Sequence, residues 1–256
     1  MAGKARYYTS KTEFSIISAY DASCSQRTHR KYYCANPKCN VQMSLKNADH
    51  PSSAIFASFP KQASKHYGFM CTRSGLEFNP HTYMEEEFHE NDFFAHIIQP
   101  TPETSSKTYN SPTPLHIQNR ERTAISNVRQ IYPLLVNKSK TDTYGDITIG
   151  NIFLDNENYQ GQEIFNNFIL ETSFYRYDKD EKSVLLNFPL HTMSHTHVKI
   201  VFDNARLFKD FISKFIHPTH TEIVPVGGKW IPTGIKEYVA VCHIISSRQF
   251  TIFKPD

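Results

Sequence analysis

The chain has 256 residues, a hydrophobic fraction of 39% and a mean hydropathy of −0.50, which suffices for one large domain or two small ones. It contains no run of about 18 apolar residues, which excludes a membrane-spanning helix, and residues 1–14 lack the apolar stretch of a signal peptide, so we expect a cytoplasmic protein. The formal net charge of +3 is small for a nucleic-acid-binding domain, whereas 19 Phe and 14 Tyr favour β-sheets and stacking surfaces.

Residues 1–98 form a first block, which contains two pairs of metal-ligand residues with the same spacing. Four residues separate Cys34 from Cys39, and four separate His66 from Cys71. A chain without a secretion signal uses such clustered cysteines for metal binding more often than for disulfides. The two pairs therefore predict one closed, structural zinc site with four ligands, which stabilises a block that has little core of its own.

Three details of this zinc-binding module stay open or follow from the spacing. His50 can replace His66 as the fourth ligand, and Cys24 is expected to remain a free thiol. The alternative to a zinc site is a set of buried free cysteines beside a surface histidine. Residues 41–45 and 54–59 are predicted to form the two strands of a hairpin that brings the ligand pairs together.

The segments AYDASC, RKYYCANPKC, MSLKNAD, AIFASF and KHYGFMC, within residues 16–75, resemble the N-terminal zinc-finger region of CoiA-like competence proteins and their bacterial relatives. The resemblance implies a zinc finger here and, since CoiA-like proteins are similar to nucleases beyond the finger, a divergent nuclease as one alternative. In that family the Phe-Ala pair is commonly flanked by histidines, whereas Phe56-Ala57 is flanked by Ile55 and Ser58. Asp155 and Glu157 form a D-x-E pair without an E-x-K partner, so nuclease activity is not carried over.

A linker or exposed loop is predicted at residues 99–116, which are rich in Pro, Ser and Thr. Residues 117–256 form the second block. It opens with a predicted helix that is capped by Thr123 and is kinked or ended by Pro133. Residues 147–155 fit either a short helix or a strand.

The rest of the second block follows a β pattern with one helix. The strands are expected at residues 163–178, 182–188, 197–202, 221–230, 237–245 and 248–253, and an amphipathic helix at 204–216 follows the third of them. Three strands, a helix and two or three further strands predict an α+β protein with an OB-like barrel, in which a helix links the third and fourth strands. The alternative is an ordinary α+β sheet with one packed helix.

Aromatic and basic residues alternate along these strands, which is typical of surfaces that stack bases and neutralise phosphates. Because alternate residues of a strand face opposite sides, at most half of them can be exposed. The sequence therefore predicts a non-catalytic protein that binds single-stranded nucleic acid, without a small-molecule cofactor and without a membrane partner. A protein-interaction adaptor of a bacterial defence or mobile-element system is the main alternative. The candidate contact residues are Tyr175, Arg176, Tyr177, Lys179, Lys199, Lys229, Trp230 and Arg248.

Overall fold

The computed structural model describes residues 2–10, 13–25, 30–59, 65–66, 68–78, 80–100, 122–190, 196–215 and 222–253. Residues 101–116 of the predicted linker lie outside this part of the chain. The strands are β1 (Lys4–Tyr8), β2 (Phe14–Ser18), β3 (Tyr32–Cys34), β4 (Gln42–Lys46), β5 (Ile55–Ser58), β6 (Thr143–Tyr144), β7 (Ile147–Thr148), β8 (Phe153–Leu154), β9 (Asn166–Asp178), β10 (Ser183–Phe188), β11 (Thr196–Phe202), β12 (Val224–Pro232) and β13 (Ala240–Ile244). The helices are α1 (Ala19–Cys24), α2 (Gly68–Gly75), α3 (Glu90–Ile97), α4 (Val128–Asn137), α5 (Ile149–Ile152) and α6 (Ala205–Ser213).

An antiparallel sheet with the strand order β2-β1-β3-β4-β5 forms the N-terminal module, which we define as residues 2–78. The predicted hairpin at residues 41–45 and 54–59 is present as β4 and β5. One face of the sheet packs against α1 and α2 around a small core that includes Ala5, Tyr32, Phe56, Ala19 and Ala22. The Ser18 side chain begins α1 by accepting a hydrogen bond from the backbone N–H of Asp21 at 2.8 Å.

The second half of the chain contains a closed five-stranded barrel. Its strands meet in the order β9-β10-β11-β13-β12, and β12 pairs again with β9 to complete the ring. All these pairs are antiparallel except β11 with β13, and β9 closes the barrel because its 13 residues reach both β10 and β12. The predicted α+β class and the predicted barrel strands are thus present in the structure.

Helix α6 lies between the third and fourth barrel strands, where the sequence predicted it. Its N-cap is Asn204, whose side chain accepts a hydrogen bond from the N–H of Arg206 at 2.7 Å. Phe208 and Phe211 come from one face of the helix and pack into the barrel core, which also contains Trp230 and Phe202. The helix therefore covers one end of the barrel with an apolar stripe.

A third apolar cluster joins the two blocks. Phe93, Phe94 and Ile97 of α3 pack with α4 and with the outside of the barrel at Ile169. A side chain at Gly227 of β12 would meet Val128 at 2.8 Å and Ile97 at 3.1 Å, so the two helices approach the sheet as closely as glycine permits. Helix α3 thus belongs to the packing of the barrel although its sequence precedes residue 99.

The predicted start of the first helix in the second block was wrong. Helix α4 starts after Asn127, which caps Gln130, and not after Thr123, which forms an isolated bridge with Tyr83. Pro133 lies inside α4 without ending it. Residues 147–155 contain both a short helix and two short strands, α5 between β7 and β8.

The last predicted strand, residues 248–253, is also absent as a strand. Ser247–Gln249 form a 3-10 turn that Ser246 and Gln249 close as a capping box. Beyond the turn, only isolated bridges of Phe250 with Val226 and of Phe253 with Ile223 continue the sheet. Among the described helices, none has the length and apolarity needed to cross a bilayer.

Candidate functional site

The four predicted zinc ligands come together at one edge of the N-terminal module. Strand β3 ends at Cys34, and a tight turn returns the chain so that the Cys39 N–H reaches the carbonyl oxygen of Asn36 at 2.9 Å. The Asn36 side chain fixes this turn by accepting a hydrogen bond from the N–H of Lys38 at 3.0 Å. Helix α2 supplies Cys71, and His66 lies just before that helix.

The distances in this Cys34–Cys39–His66–Cys71 cluster suit one ion. All four ligand atoms lie within 4.8 Å of one another, and Cys39 Sγ is 3.6 Å from His66 Nδ1. Metal–sulfur and metal–nitrogen bonds of about 2.3 and 2.0 Å at tetrahedral corners place such a pair about 3.5 Å apart. The cluster can therefore hold a metal ion, as the sequence predicted, and His66 rather than His50 takes the fourth position.

The two remaining cysteines lie apart from the cluster. Cys24 is exposed at the end of α1 and is a free thiol, as predicted. Cys242 is buried in the barrel core beside Gly228. Neither residue belongs to the group of candidate ligands.

Hydrogen bonds within the cluster prepare it for a cation. The thiol of Cys34 donates to Cys71, which lowers the pKa of Cys71 to about 4, and the Asn36 amide also donates to Cys71 Sγ at 3.5 Å. The same hydrogen bond and burial raise the pKa of Cys34 far above its usual range. One thiolate is thus favoured at neutral pH, and thiolates are the sulfur ligands that metals bind.

Helix α2 carries a second polar group two residues after Cys71. The guanidinium of Arg73 lies 3.2 Å from Glu171 Oε2 and 2.9 Å from Asp155 Oδ2, and both carboxylates are fully buried. Lys140 also reaches Asp155 at 2.8 Å, and the Tyr132 hydroxyl donates to Glu171. Since Glu171 lies in β9, this buried network joins the N-terminal module directly to the barrel.

The D-x-E pair is part of this network. Asp155 is buried and paired with two cations, and Glu157 is exposed but lies 3.7 Å from the Arg73 guanidinium. The cations beside Asp155 lower the pKa of its carboxyl against the opposing effect of burial. Within the described residues, the two acids thus act as partners of Arg73 and Lys140.

The predicted nucleic-acid contacts divide between surface and core. Tyr175 and Tyr177 are exposed by 49% and 42%, and the Tyr175 ring stacks on His197 with 4.4 Å between centroids. Trp230, in contrast, is only 1% exposed, and its indole N–H donates to the carbonyl oxygen of Phe168 at 3.1 Å. The prediction of Trp230 as a stacking residue was therefore wrong, because the pleat of β12 turns its side chain into the barrel.

The predicted basic contacts are not gathered on one surface. Arg176 and Lys199 line one groove on the barrel, where they pair with Glu237 and Glu181. Lys229 lines a separate groove near Asn167. Lys179 is exposed in the β9–β10 turn, and Arg248 is half-buried in the 3-10 turn that follows β13.

The groove that holds Arg176 and Lys199 contains residues that the sequence did not single out. Ile235 and Tyr238 come from the β12–β13 loop, and the Lys199 ammonium lies 5.2 Å from the centre of the Tyr238 ring. Leu185 of β10 also lines this groove. The sequence could not predict Tyr238, because a loop residue follows no hydrophobic periodicity. The pairing of β11 with β13 in the barrel brings Tyr238 next to β11.

Fold and site together define an α+β protein in which a Cys₃His cluster is attached to a closed five-stranded barrel. In comparisons with known proteins, the chain matches no protein-family model, no curated protein and no solved structure. Its function is therefore inferred from its own residues.

Proposed function

We propose that this chain is a zinc-stabilised, OB-like barrel protein that binds single-stranded nucleic acid. The observation that carries the proposal is the strand order β9-β10-β11-β13-β12 with α6 between the third and fourth strands. An OB-fold is a five-stranded barrel that binds oligonucleotides across its second and third strands and the loops beside them. The corresponding surface here is formed by β10, β11, the β9–β10 turn and the β12–β13 loop.

The groove on this surface supports stacking more than phosphate binding. Tyr238 lies along it and Tyr175 stacks on His197 nearby, whereas the Tyr177 ring packs against Phe208 of α6 on the core side of β9. Two cations in the groove are matched by the carboxylates of Asp178, Glu181 and Glu237. Since aromatic side chains stack bases of any sequence, we infer that the groove holds unpaired bases while the phosphates remain outside it.

Zinc is the ion that we propose for the cluster of Cys34, Cys39, His66 and Cys71. Three thiolates and one imidazole in a tetrahedral arrangement form a complete set of ligands, which is typical of structural zinc and leaves no position for a reacting water. The described core of the module has ten buried residues, and three of them are the cysteines of the cluster. An ion that bonds all four residues would therefore supply much of the cohesion of this module.

Metal analysis of the purified protein tests the zinc proposal. We expect one equivalent of zinc in the wild type and in Cys24→Ser, which changes the exposed cysteine outside the cluster. Cys71→Ser should lose the metal. Stoichiometric iron, or no metal in wild-type protein purified without chelator, would contradict the proposal.

Fluorescence anisotropy with labelled oligothymidine and oligouridine at low salt tests the binding function. The double variant Tyr175→Ala/Tyr238→Ala removes one ring in the groove and one beside it, and should weaken binding by about 1–3 kcal/mol per stacked base. Ile231→Ala is the matched control, because Ile231 is 49% exposed on β12 and lies outside the groove. Wild-type protein that binds neither oligonucleotide at low salt would refute the proposed function.

A further inference from the structure

The charge of the chain is divided unevenly between its two halves. Residues 1–78 contain eleven Lys and Arg against four Asp and Glu, a formal net charge of +7. The remaining residues contain 17 Lys and Arg against 21 Asp and Glu, a net charge of −4. Within those remaining residues, 79–121 contain two Lys and Arg against seven Asp and Glu, a net charge of −5, and residues 122–256, which include the barrel, contain 15 against 14, a net charge of +1. The small overall charge of +3 therefore conceals a strongly basic N-terminal module, and a basic module attracts a polyanion.

An exposed group of aromatic rings lies on the outer face of this basic module. Tyr8 and Phe14 are cross-strand partners on β1 and β2, exposed by 42% and 40%, with 6.3 Å between their ring centroids. Tyr33 of β3 lies on the same face, 5.5 Å from Tyr8. We call Tyr8, Phe14 and Tyr33 the aromatic face.

A buried arginine connects the aromatic face to the metal cluster. The Arg6 guanidinium lies 5.3–6.0 Å from the centres of all three rings, although Arg6 itself is 2% exposed. It donates to the carbonyl oxygens of Pro37, at 3.0 Å, and Cys39. Tyr33 also directly precedes the ligand Cys34, so the metal-binding turn and the aromatic face are held by the same residues.

Two lysines next to this face along the chain have no carboxylate partner among the described residues. Lys31 precedes β3 and Lys38 lies in the metal-binding turn between the two carbonyls that Arg6 reaches, and both are exposed. In the described part of the chain, neither of them forms an ion pair. The cations of the barrel groove, Arg176 and Lys199, are paired with Glu237 and Glu181. Free cations are the ones that can neutralise phosphates.

We propose that the aromatic face of the N-terminal module is a second nucleic-acid-binding surface, at which Tyr8, Phe14 and Tyr33 stack unpaired bases and Lys31 and Lys38 contact phosphates. The inference rests on the proposed function and extends it from the barrel to the module. It assigns the stacking to both halves of the protein and the electrostatic attraction to the module. The salt dependence of binding should then come from the module rather than from the groove.

The composition of the face favours single-stranded nucleic acid over an acidic protein segment. Among the described residues of β1, β2 and β3, the exposed apolar side chains are Tyr8, Phe14 and Ile16, of which two are aromatic, and the half-buried ring of Tyr33 adds a third aromatic group to the face. The core of a protein–protein interface also uses aliphatic side chains and excludes charge. Aromatic rings with cations at their edges are typical of proteins that hold bases and the phosphate backbone together.

Anisotropy with a labelled oligothymidine of about 15 nucleotides tests the inference. Tyr8→Ala/Phe14→Ala should weaken binding about 5- to 150-fold for each stacked base that is lost. Tyr20→Ala is the control, because Tyr20 is 43% exposed on α1 of the same module and makes no ring contact with the aromatic face. Lys31→Gln/Lys38→Gln should reduce the slope of log K against log salt by about 0.7 for each lost phosphate contact.

Tyr8→Leu/Phe14→Leu provides a variant that keeps apolar volume in the sheet but removes the rings. Trp230 fluorescence and the bound zinc verify that each variant is folded, and the Leu variant should bind as weakly as the Ala variant. If both variants bind like the wild type while Tyr175→Ala/Tyr238→Ala is impaired, the inference is wrong and the proposed function stands. If polyglutamate competes as well as oligothymidine, the face is a general anion or protein surface and the inference is also wrong. If the wild type binds no oligonucleotide, both fail.

Discussion

Substitution of Arg73 by methionine should destabilise the whole protein, because Arg73 is the cation that crosses from α2 to the buried acids of the barrel. Met keeps much of the apolar stem and removes the charge. Among the described side chains, the variant leaves the buried Glu171 with one hydrogen-bond partner, the Tyr132 hydroxyl, and without a cation in direct contact. Asp155 keeps two partners in this variant, Lys140 Nζ at 2.8 Å and the N–H of Glu157 at 2.9 Å.

The expected loss of stability in Arg73→Met follows from this difference between Glu171 and Asp155. Removal of one partner from a buried ion pair costs about 3–5 kcal/mol, since a charge stays behind without compensation. Only Glu171 is left without a cation, and the Arg73 side chain is itself 20% exposed, so we expect the lower limit of about 3 kcal/mol. For a chain of this size that corresponds to a fall in Tm of about 6–12 °C.

The loss should also depend on pH. Burial raises the pKa of Glu171 against the opposing effects of Arg73 and Tyr132, and removal of Arg73 raises that pKa further. A carboxyl whose folded-state pKa lies above its unfolded value binds a proton on folding, so its contribution to stability falls as pH rises between the two values. Arg73→Met should therefore be less destabilising at pH 5 than at pH 8.

The assay is urea unfolding followed by the fluorescence of Trp230, the only tryptophan of the chain, which lies in the barrel core. Arg176→Met is the matched control, because it breaks an ion pair between two exposed side chains and should cost less than about 1 kcal/mol. The double variant Arg73→Met/Glu171→Gln should recover most of the loss, since the one buried charge that remains, Asp155, keeps its ion pair with Lys140. An Arg73→Met variant as stable as Arg176→Met, or a double variant without recovery, would refute the reasoning.

Three further predictions test the packing, the titration and the metal. Gly227→Ala should lower the free energy of unfolding by about 1–3 kcal/mol in thermal unfolding, because the added Cβ would meet Val128 at 2.8 Å. Gly161→Ala is the control: its Cβ would have free space around it, so its positive φ should cost only backbone strain. Burial raises the pKa of Glu77 to about 7 despite the opposing effect of Lys4, so the stability of the wild type should fall as the pH rises towards 7. When unfolding midpoints are measured from pH 5 to 8, Glu77→Gln should show a smaller decrease than the wild type. Removal of the metal by a chelator should lower the Trp230-monitored midpoint of the wild type more than that of Arg73→Met; equal shifts would show that α2 does not transmit the loss.

The metal cluster and the barrel strands could be predicted because their signals are local. The spacing of Cys34 and Cys39 fixes a tight turn, and the repeat of that spacing at Cys71 identifies the second half of the site. The strands have continuous apolar patterns, and α6 has both a cap at Asn204 and an apolar stripe. A helix or strand can be predicted from the sequence when the residues that define it lie within about ten positions of one another.

The errors arose where tertiary packing overrode a local pattern. Thr123 and Asn127 are both good N-caps, and only the burial of Val128 and Ile131 against the barrel selects Asn127. Pro133 costs α4 a hydrogen bond, which the burial of its neighbours Tyr132 and Leu134 offsets. The net charge did not reveal the basic module, because the acidic residues between positions 79 and 121 offset most of its charge in the sum over the chain.

The two proposed binding surfaces, the aromatic face of the module and the groove of the barrel, can act together only if they keep a fixed separation. Two weak surfaces on one rigid body act together, because the second contact forms at a high effective concentration once the first has formed. The Cys34–Cys39 turn holds Arg6 under the aromatic face, and the helix of Cys71 holds Arg73 against Glu171 of β9, the strand that also carries Tyr175. One ion bonded to both segments would thus fix the aromatic face relative to the groove. In the proposed arrangement, a bound ion would contribute to nucleic-acid affinity without touching the nucleic acid.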